Sequence, residues 1–467
     1  MIDSTFRFRR IAAALAVIAP AAVIAPQLAQ AAGYDTPMLY SARHMGMGGA
    51  AISYVDDPSA IFHNPAGLAN IQGGAVLADF SPLIGTIQGS PSSHLLKDGS
   101  KPGLSLNSNT TFAPFFMAGG AYKLHKFLTV GFAVYPVASA GASYTYQVKL
   151  DSGGTAEMED MTKLAFIDYA PSIAAEILPG LKIGAAYRFS TVDFERKRVN
   201  PQEFGDPLSI DLSMKGSNAK GFRLGAQYSA KDFGLGLTYR HRTDTTVSAD
   251  KGILLSNAGH DLTYEFTLPS KLGLGVHYDG IANLRLAADV EYTWQEQNDT
   301  SYMAGTADIG FPVKVANVSK WSNTITARLG GAYRFGALTG RLGYVFDSQA
   351  SQVRYPSAFG TPPGITQVAT CGVGYAISDN LDVSLAGAYR TGTATVTAAD
   401  IKDNGCAFCG LQGDYKISLF GAYIDAVWRF GGPGKAPAAA APAPAPEATP
   451  APEPAPAAAP GPGLAQR

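Results

Sequence analysis

The sequence predicts an all-β protein: a transmembrane antiparallel β-barrel of about 14 strands, with an N-terminal plug in its lumen. Three observations support this fold class. The chain starts like an exported protein, most of it then alternates apolar and polar residues with a period of two, and the links between alternating segments are short and long in turn.

Residues 1–31 are predicted to be a signal peptide. Three arginines lie among the first ten residues, positions 11–25 are apolar, and Ala29-Gln30-Ala31 is a small-residue cleavage site. Beyond this signal, no run reaches the roughly 18–20 apolar residues that a membrane-spanning helix needs. The sequence therefore predicts export but no transmembrane helix.

Residues 74–430 carry the period-two alternation. In LKIGAAYRF, Leu181, Ile183 and Tyr187 share one face, while Lys182 and Arg188 point the other way. NLRLAADVEYTW, ITARLGGAYRF and NLDVSLAGAYR repeat the pattern. An apolar face that ends in aromatics, opposite a charged face, is typical of a membrane barrel. A soluble β-sandwich is the alternative, but it would not place charge on its inner face strand after strand.

The predicted strands number about 14, an even number as expected for a bacterial barrel. They cover approximately 75–87, 110–123, 126–146, 163–178, 181–194, 208–229, 232–246, 260–278, 282–297, 319–335, 338–349, 364–377, 380–395 and 412–430. Short links alternate with longer polar stretches, namely 88–109, 147–162, 195–207, 247–259, 298–318 and 396–411. This rhythm indicates short periplasmic turns and long outer loops.

Composition and motifs argue against other functions. The net charge of -1 offers no basic footprint for nucleic acid, so no nucleic-acid partner is expected. The seven His residues are scattered and no G-x-S-x-G elbow is present, so we expect no enzyme activity and no cofactor.

The N-terminal part of the mature chain carries a family resemblance. Residues 32–73 lack strand periodicity and contain SARHMGMGGAAISYVDDPSAIFHNPAGLANIQGG. This stretch resembles the N-terminal hatch of the FadL-type outer-membrane transporters of long-chain fatty acids and hydrocarbons. LPSKLGLGVHYDGIANLRLAADVEYTWQ is similar to later barrel strands of that family, and the likeness spans about 33–430.

The resemblance implies a function. A FadL-type protein of the outer membrane takes up long-chain fatty acids or related hydrophobic small molecules passively. Ligand is captured at outer loops, enters a lumen pocket and leaves laterally, toward outer-membrane lipid, beside a kinked third strand. The alternative is a non-transporting structural or adhesive barrel.

Two places in the sequence are candidates for the gate. Pro136 lies within the third predicted strand and cannot donate to a ladder, and Gly141 nearby lacks a side chain. This suggests a gap in the wall, with a simple bulge as the alternative. The resemblance implies that Asn64-Pro65-Ala66-Gly67 lies against this opening, whereas a turn that only holds the plug together is the alternative.

Arg328 and Arg341, on neighbouring strands with inward parity, are the candidate ligand-binding residues. A guanidinium can donate two parallel hydrogen bonds to a fatty carboxylate. The alternative is that these arginines form solvated ion pairs that only fill a polar lumen, as charged lumen residues most often do.

Cysteines suggest a small disulfide loop. Cys406 and Cys409 form a CxxC in an outer loop, and no second Cys pair or His cluster completes a metal site, so a disulfide is favoured and no metal is expected.

The C-terminal tail, 431–467, is rich in Pro and Ala and is predicted to be disordered in the periplasm. Contact with the cell wall or a periplasmic partner is left open.

Overall fold

The computed structural model describes residues 33–432, except 36, 92–104, 151–152, 201–207, 255–256, 309, 360 and 407–408. The predicted signal peptide and all but the first two residues of the predicted tail lie outside the described residues.

The wall consists of 21 strand segments in the described part of the chain, numbered β1–β21. They are β1 Gly74–Phe80, β2 Leu83–Gly89, β3 Leu106–Asn107, β4 Thr111–Ala113, β5 Phe116–His125, β6 Leu128–Lys149, β7 Thr155–Leu178, β8 Leu181–Asn200, β9 Leu208–Ala230, β10 Phe233–Arg240, β11 Thr243–Leu254, β12 Asn257–Leu268, β13 Lys271–Ile281, β14 Leu284–Thr293, β15 Thr300–Ala307, β16 Pro312–Val318, β17 Thr324–Phe335, β18 Leu338–Asp347, β19 Thr366–Ala376, β20 Leu381–Val396 and β21 Gly413–Phe430.

These segments build a closed antiparallel barrel of 14 strands. Six barrel strands are composed of consecutive segments, namely β1–β2, β3–β5, β10–β11, β12–β13, β14–β15 and β16–β17, and the other segments each form one strand. The first strand closes the barrel on the last, because β1 and β2 both pair with β21. The predicted all-β class, an antiparallel barrel of about 14 strands, is confirmed.

The alternation of the sequence explains which side chains face lipid. In β10, Leu235 and Leu237 are exposed on the outer surface, whereas Gly236 between them and Thr238 and Arg240 beyond them are buried. Burial of Arg240 toward the lumen and exposure of leucine toward the bilayer is the distribution that a hydrocarbon solvent requires.

Several stretches that the sequence predicts as loops are strands. The region 247–259 belongs to the β11–β12 hairpin, 298–318 contains β15 and β16, and 155–162 extends β7. The bilayer needs only about 9–11 residues per strand. β7, with 24 residues, therefore extends beyond it, and its extension contains the polar residues Glu157, Glu159 and Asp160, which break the apolar alternation.

Residues 33–73, hereafter the N-terminal segment, contain helix α1 Ala42–Met45, helix α2 Ala60–His63 and a 3-10 helix Pro65–Asn70. A 3-10 turn Gln295–Gln297 and helix α3 Ala398–Ile401 lie between strands of the wall. In the described part of the chain, no helix is both long and apolar enough to cross a membrane.

Candidate functional site

Hydrogen bonds tie the N-terminal segment to strands on several sides of the barrel. Asp289 of β14 accepts the backbone N–H groups of Ala51 at 2.7 Å and Ile52 at 3.0 Å. On β21, Asp425 accepts the Ser41 hydroxyl at 2.6 Å and the Arg43 N–H at 2.9 Å. Inward-facing carboxylates of the wall thus accept hydrogen bonds from backbone N–H groups and a hydroxyl of the segment.

The segment also has its own buried polar network. His44 Nε2 lies 3.1 Å from Asp57 Oδ2, and Arg43 lies 2.6 Å from Asp56 and 3.3 Å from Asp57. Burial opposes ionisation of Asp57, but the contacts with His44 and Arg43 hold the pKa of Asp57 well below its usual range. Burial, together with the nearby His44, lowers the pKa of His63 to about 3. The network therefore keeps its carboxylates charged and His63 neutral.

The Asn64-Pro65-Ala66-Gly67 turn is hydrogen-bonded to β9 and β10, and the 3-10 helix Pro65–Asn70 also lies beside β6, β7 and β8. The Asn64 amide donates to Ile52 O at 2.8 Å, Ala226 O at 3.0 Å and Leu237 O at 3.3 Å. Glycines of the wall make room for it, because a Cβ at Gly184 would lie 2.4 Å from Pro65 C and one at Gly225 would lie 1.9 Å from Asn64 Oδ1.

The expected place of the turn is the opening at the third strand. Its hydrogen bonds run to β9 and β10, it fits against Gly184 of β8, and the 3-10 helix that follows Asn64 also lies beside β6. Its Asn side chain also closes a local turn, since Asn64 Oδ1 accepts the Ala66 N–H at 3.2 Å. At the kink of β6 the segment contributes hydrogen bonds through Tyr34 and Tyr40, and the ring of Phe62 packs against Tyr135.

The third strand is kinked at Pro136. Pro136 pairs with Ile167 and Ala138 pairs with Phe166, so Val137 is an extra residue on β6 and forms a β-bulge. A Cβ on Gly141 would lie 2.5 Å from Thr162 O, so this glycine permits close approach of β7.

A gap in strand pairing accompanies this kink. β5 and β6 pair from His125 with Leu128 up to Ala118 with Val134. A backbone hydrogen bond between the two barrel strands returns only at Asn109 N and Ser143 O, 2.7 Å apart. Between these limits, no described strand pairs with the β5-side edge of β6.

Two tyrosines of the N-terminal segment occupy this gap. The Tyr40 hydroxyl donates to the Pro136 carbonyl oxygen, and the Ser139 N–H donates to the Tyr34 carbonyl oxygen at 3.3 Å. The segment thus supplies polar partners that a neighbouring strand supplies elsewhere in the wall.

Two further prolines lie at the level of the gap. Pro82 separates β1 from β2, and Pro114 separates β4 from β5. Phe80 pairs with Phe116, and Leu83 pairs with Ala113, so the register places these prolines opposite each other. The first three barrel strands therefore each lack a backbone donor here. Pro82 and Pro114 carry the same sequence signal as Pro136, a proline within an alternating run, although the gap was predicted from Pro136 alone.

A narrow cavity lies between the segment and the kink. Its apolar lining includes Tyr40, Phe62, Phe115 and Pro136. The cavity volume is about 20 Å³, close to the about 10–15 Å³ needed for one water molecule. A hydrophobic ligand therefore requires movement of the segment or of the side chains around it.

Ion pairs line the other side of the cavity. Asp35 accepts two hydrogen bonds of 2.6 Å from Arg240, and Arg328 donates to Glu291 at 2.7 Å. Lys271 lies 3.7 Å from Asp35 and 3.9 Å from Glu291. Despite burial, Arg240 and Lys271 hold the pKa of Asp35 well below its usual range.

The two predicted ligand-binding arginines are not brought together. Arg328 lines the cavity, but it is engaged by Glu291 and by Pro37 O at 3.1 Å. Arg341 pairs with Ala332, four residues along β17 from Arg328, and its Cβ lies 3.2 Å from the position a Cβ would take on Gly46.

A disulfide joins Cys406 and Cys409 in the connection between β20 and β21. Cys371 of β19 is a free, exposed thiol. No group of three or more His, Cys, Asp or Glu side chains suited to a metal ion occurs among the residues that the structure describes.

Comparison with known families identifies the architecture. The model of the family "Outer membrane protein transport protein (OMPP1/FadL/TodX)" matches residues 21–427. The chain belongs to this family. It follows that this is an outer-membrane β-barrel of a family of channels for hydrophobic compounds.

Solved structures share the fold at low sequence identity. A Pseudomonas aeruginosa FadL homologue is 14% identical with a TM-score of 0.66, and the match covers 86% of this chain and 100% of that one. The Pseudomonas putida toluene transporter TodX is 17% identical with a TM-score of 0.64, covering 85% of this chain and 99% of that one.

The Ralstonia pickettii toluene transporter TbuX is 17% identical with a TM-score of 0.60, covering 85% of this chain and 100% of that one. No curated protein sequence matches the chain. At these identities the likeness concerns the fold, so the ligand must be argued from the side chains of this chain.

Proposed function

We propose that this protein carries long-chain fatty acids or related hydrophobic compounds passively across the outer membrane. In this proposal residues 32–73 are the plug, and ligand leaves the lumen sideways through the gap between β5 and β6. Solved family members named as toluene transporters and as a FadL homologue are consistent with an apolar cargo. No chemical reaction is part of the proposal.

The observation that carries the proposal is the replacement of strand pairing by the N-terminal segment beside β6. Lipid offers no hydrogen bonds, so an unpaired strand edge in a membrane wall is costly unless something satisfies it. Tyr34 and Tyr40 belong to a segment that is covalently continuous with the wall only at Gly73–Gly74, so they can withdraw without breaking a strand. A wall built only for rigidity has no need of such a removable partner.

Ligand passage follows from the geometry in three steps. A hydrophobic molecule from the outer loops enters the lumen and displaces aromatic side chains around the small cavity. Movement of Tyr40 away from Pro136 then opens the edge of β6. Because the outer surface around the gap faces lipid, an apolar molecule gains favourable transfer energy on leaving by this route.

Uptake in cells tests the function. A strain without paralogous channels is compared with and without the gene, using oleate, toluene and a small hydrophilic sugar as probes. We expect deletion to slow uptake of at least one hydrophobic probe several-fold, with no change for the sugar, and the intact gene to restore uptake. Unchanged entry of both hydrophobic probes would favour a structural or adhesive barrel.

A further inference from the structure

The cavity beside Pro136 has one more cation than carboxylate in its lining. Four cationic side chains, Arg223, Arg240, Lys271 and Arg328, face three carboxylates, Asp35, Asp289 and Glu291. Asp35 and Glu291 are bonded to Arg240 and Arg328, while Asp289 accepts the two N–H groups of the N-terminal segment.

Arg223 is the cation without a carboxylate. It is 6% exposed, and its Nε is enclosed without an acceptor. Among the described residues it forms no ion pair or side-chain hydrogen bond. Its guanidinium lies 4.9 Å from the centroid of the Phe62 ring, a contact that holds the group in place without satisfying its donors.

The setting of Arg223 makes this lack of an acceptor more costly. Arg223 of β9 pairs directly with Arg240 of β10, so two like charges lie side by side in the ladder. Asp35 neutralises Arg240 through both oxygens, and nearby Asp168 is engaged by Arg188 at 2.5 Å and 3.2 Å. Neither carboxylate is therefore free to serve Arg223.

Tyr135 provides a second unsatisfied donor at the same place. Its hydroxyl is buried with no hydrogen-bond partner, and the residue precedes Pro136 at the kink. The Tyr135 ring meets the Phe62 ring edge-on with centroids 5.4 Å apart. Arg223 and Tyr135 thus contact one aromatic ring, and each presents a buried N–H or O–H without an acceptor.

We propose that Arg223 and Tyr135 form the head-group site for the carboxylate of a hydrophobic monocarboxylic acid. Two buried donors that lack an acceptor call for an anionic acceptor, and a carboxylate has two oxygens to receive them. The adjoining aromatic side chains of Tyr40, Phe62 and Phe115 suit the hydrocarbon part. The inference rests on the proposed function and selects acids over uncharged hydrocarbons as the preferred cargo.

Paired ligands test this assignment. Binding of oleate and of its uncharged ester, methyl oleate, is measured at equal detergent concentration with the purified full-length barrel. We expect wild type to favour oleate. Arg223→Met, which keeps the apolar stem, should weaken oleate about tenfold or more and leave methyl oleate within about twofold. Tyr135→Phe should weaken oleate alone by about threefold.

Matched variants separate head-group binding from wall structure. Arg328→Met combined with Glu291→Gln removes an ion pair without changing the net charge of the cavity, so the preference for oleate over methyl oleate should stay within about twofold of wild type. Arg223→Lys should retain part of the preference for oleate. If Arg223→Met does not insert as a heat-modifiable barrel, Tyr135→Phe and Arg223→Lys decide the question.

Each outcome has one meaning. The head-group site is contradicted if wild type binds oleate and methyl oleate equally, or if Arg223→Met weakens both equally. Water would then be the partner of the two donors. Those results leave the transport proposal intact if either compound is bound and taken up. Absence of binding and of uptake for both compounds in wild type instead contradicts the proposed function.

Discussion

The Tyr40 hydroxyl of the N-terminal segment donates a hydrogen bond to the carbonyl oxygen of Pro136, where β6 has no described strand partner on its β5 side. The Tyr40 ring packs against Phe62 at 5.0 Å and against Tyr135 at 5.9 Å. One residue therefore links the closure of the wall to the lining of the cavity.

Tyr40→Phe should loosen the closed state while keeping the aromatic packing. Loss of one buried hydrogen bond costs about 1 kcal/mol, or a factor of about 5 in an opening equilibrium. We expect faster hydrogen exchange in residues 33–45 and uptake of hydrophobic probes that is up to about fivefold faster. Tyr54→Phe is the control, because the Tyr54 hydroxyl donates to Met47 Sδ within the segment. Equal exchange and uptake in both variants would remove Tyr40 from the gate.

Pro136→Val should tighten the wall. It restores a backbone donor at the kink, so we expect several-fold slower transport with normal insertion and retained ligand binding. Pro171→Val is the matched control, because Pro171 interrupts β7 pairing on the side away from the gap. Gly141→Val is unsuitable as a partner change, since its side chain would meet Thr162 O. Transport at the unaltered rate would favour passage past the segment into the periplasm.

A disulfide between the segment and the wall should block transport reversibly. A Cβ built on Gly46 lies 3.2 Å from Arg341 Cβ, near the about 3.5–4.5 Å of a disulfide. In a Cys371→Ser background, oxidised Gly46→Cys with Arg341→Cys should stop uptake, and a reductant should restore it. The single cysteine variants report any effect of losing Arg341 itself. Full uptake with the bridge formed would show that transport does not require this part of the segment to move.

Acidification should destabilise the N-terminal segment through His63. The pKa of His63 is about 3 in the fold, below its ordinary 6.5. Between these values the unfolded segment binds a proton that the folded segment excludes, so stability falls as pH decreases, by up to about 1.4 kcal/mol per pH unit. Hydrogen exchange at residues 60–63, corrected for intrinsic rates, should quicken from pH 6.5 to 4.5. His63→Gln should abolish this trend, whereas exposed His125→Gln should preserve it; a persistent trend in His63→Gln would assign it to another group.

Much of the wall was predictable because contact with lipid restricts the residue type at every second position of a strand. Residues that face hydrocarbon must be apolar at every second position, so β18 to β21 agree with the predicted segments within about two residues. Where strands leave the bilayer that rule ends. The β11–β12 and β15–β16 hairpins consequently look like polar loops in the sequence although they are paired in the structure.

The candidate site was only partly predictable. A proline within an alternating run is a local signal, and it identified Pro136 as a break in the ladder. Nothing local links Tyr40 to Pro136 across 96 residues of separation, or shows that Glu291 holds Arg328. The strands that hold the turn at Asn64 could not be predicted for the same reason, because only packing brings it to Gly184 and Gly225.

The sequence by itself determined the all-β architecture, the apolar outer face and the position of the kink, because each depends on the spacing of residues near one another in the chain. The tertiary structure alone decided which residues close the gap and which cation of the cavity lacks a carboxylate partner. Those are properties of distances between strands, since a charge is satisfied or left over only after all carboxylates around the cavity have been assigned. Arg223 and Arg328 have the same side chain and the same inward parity, yet only Arg328 has a carboxylate within reach among the described residues.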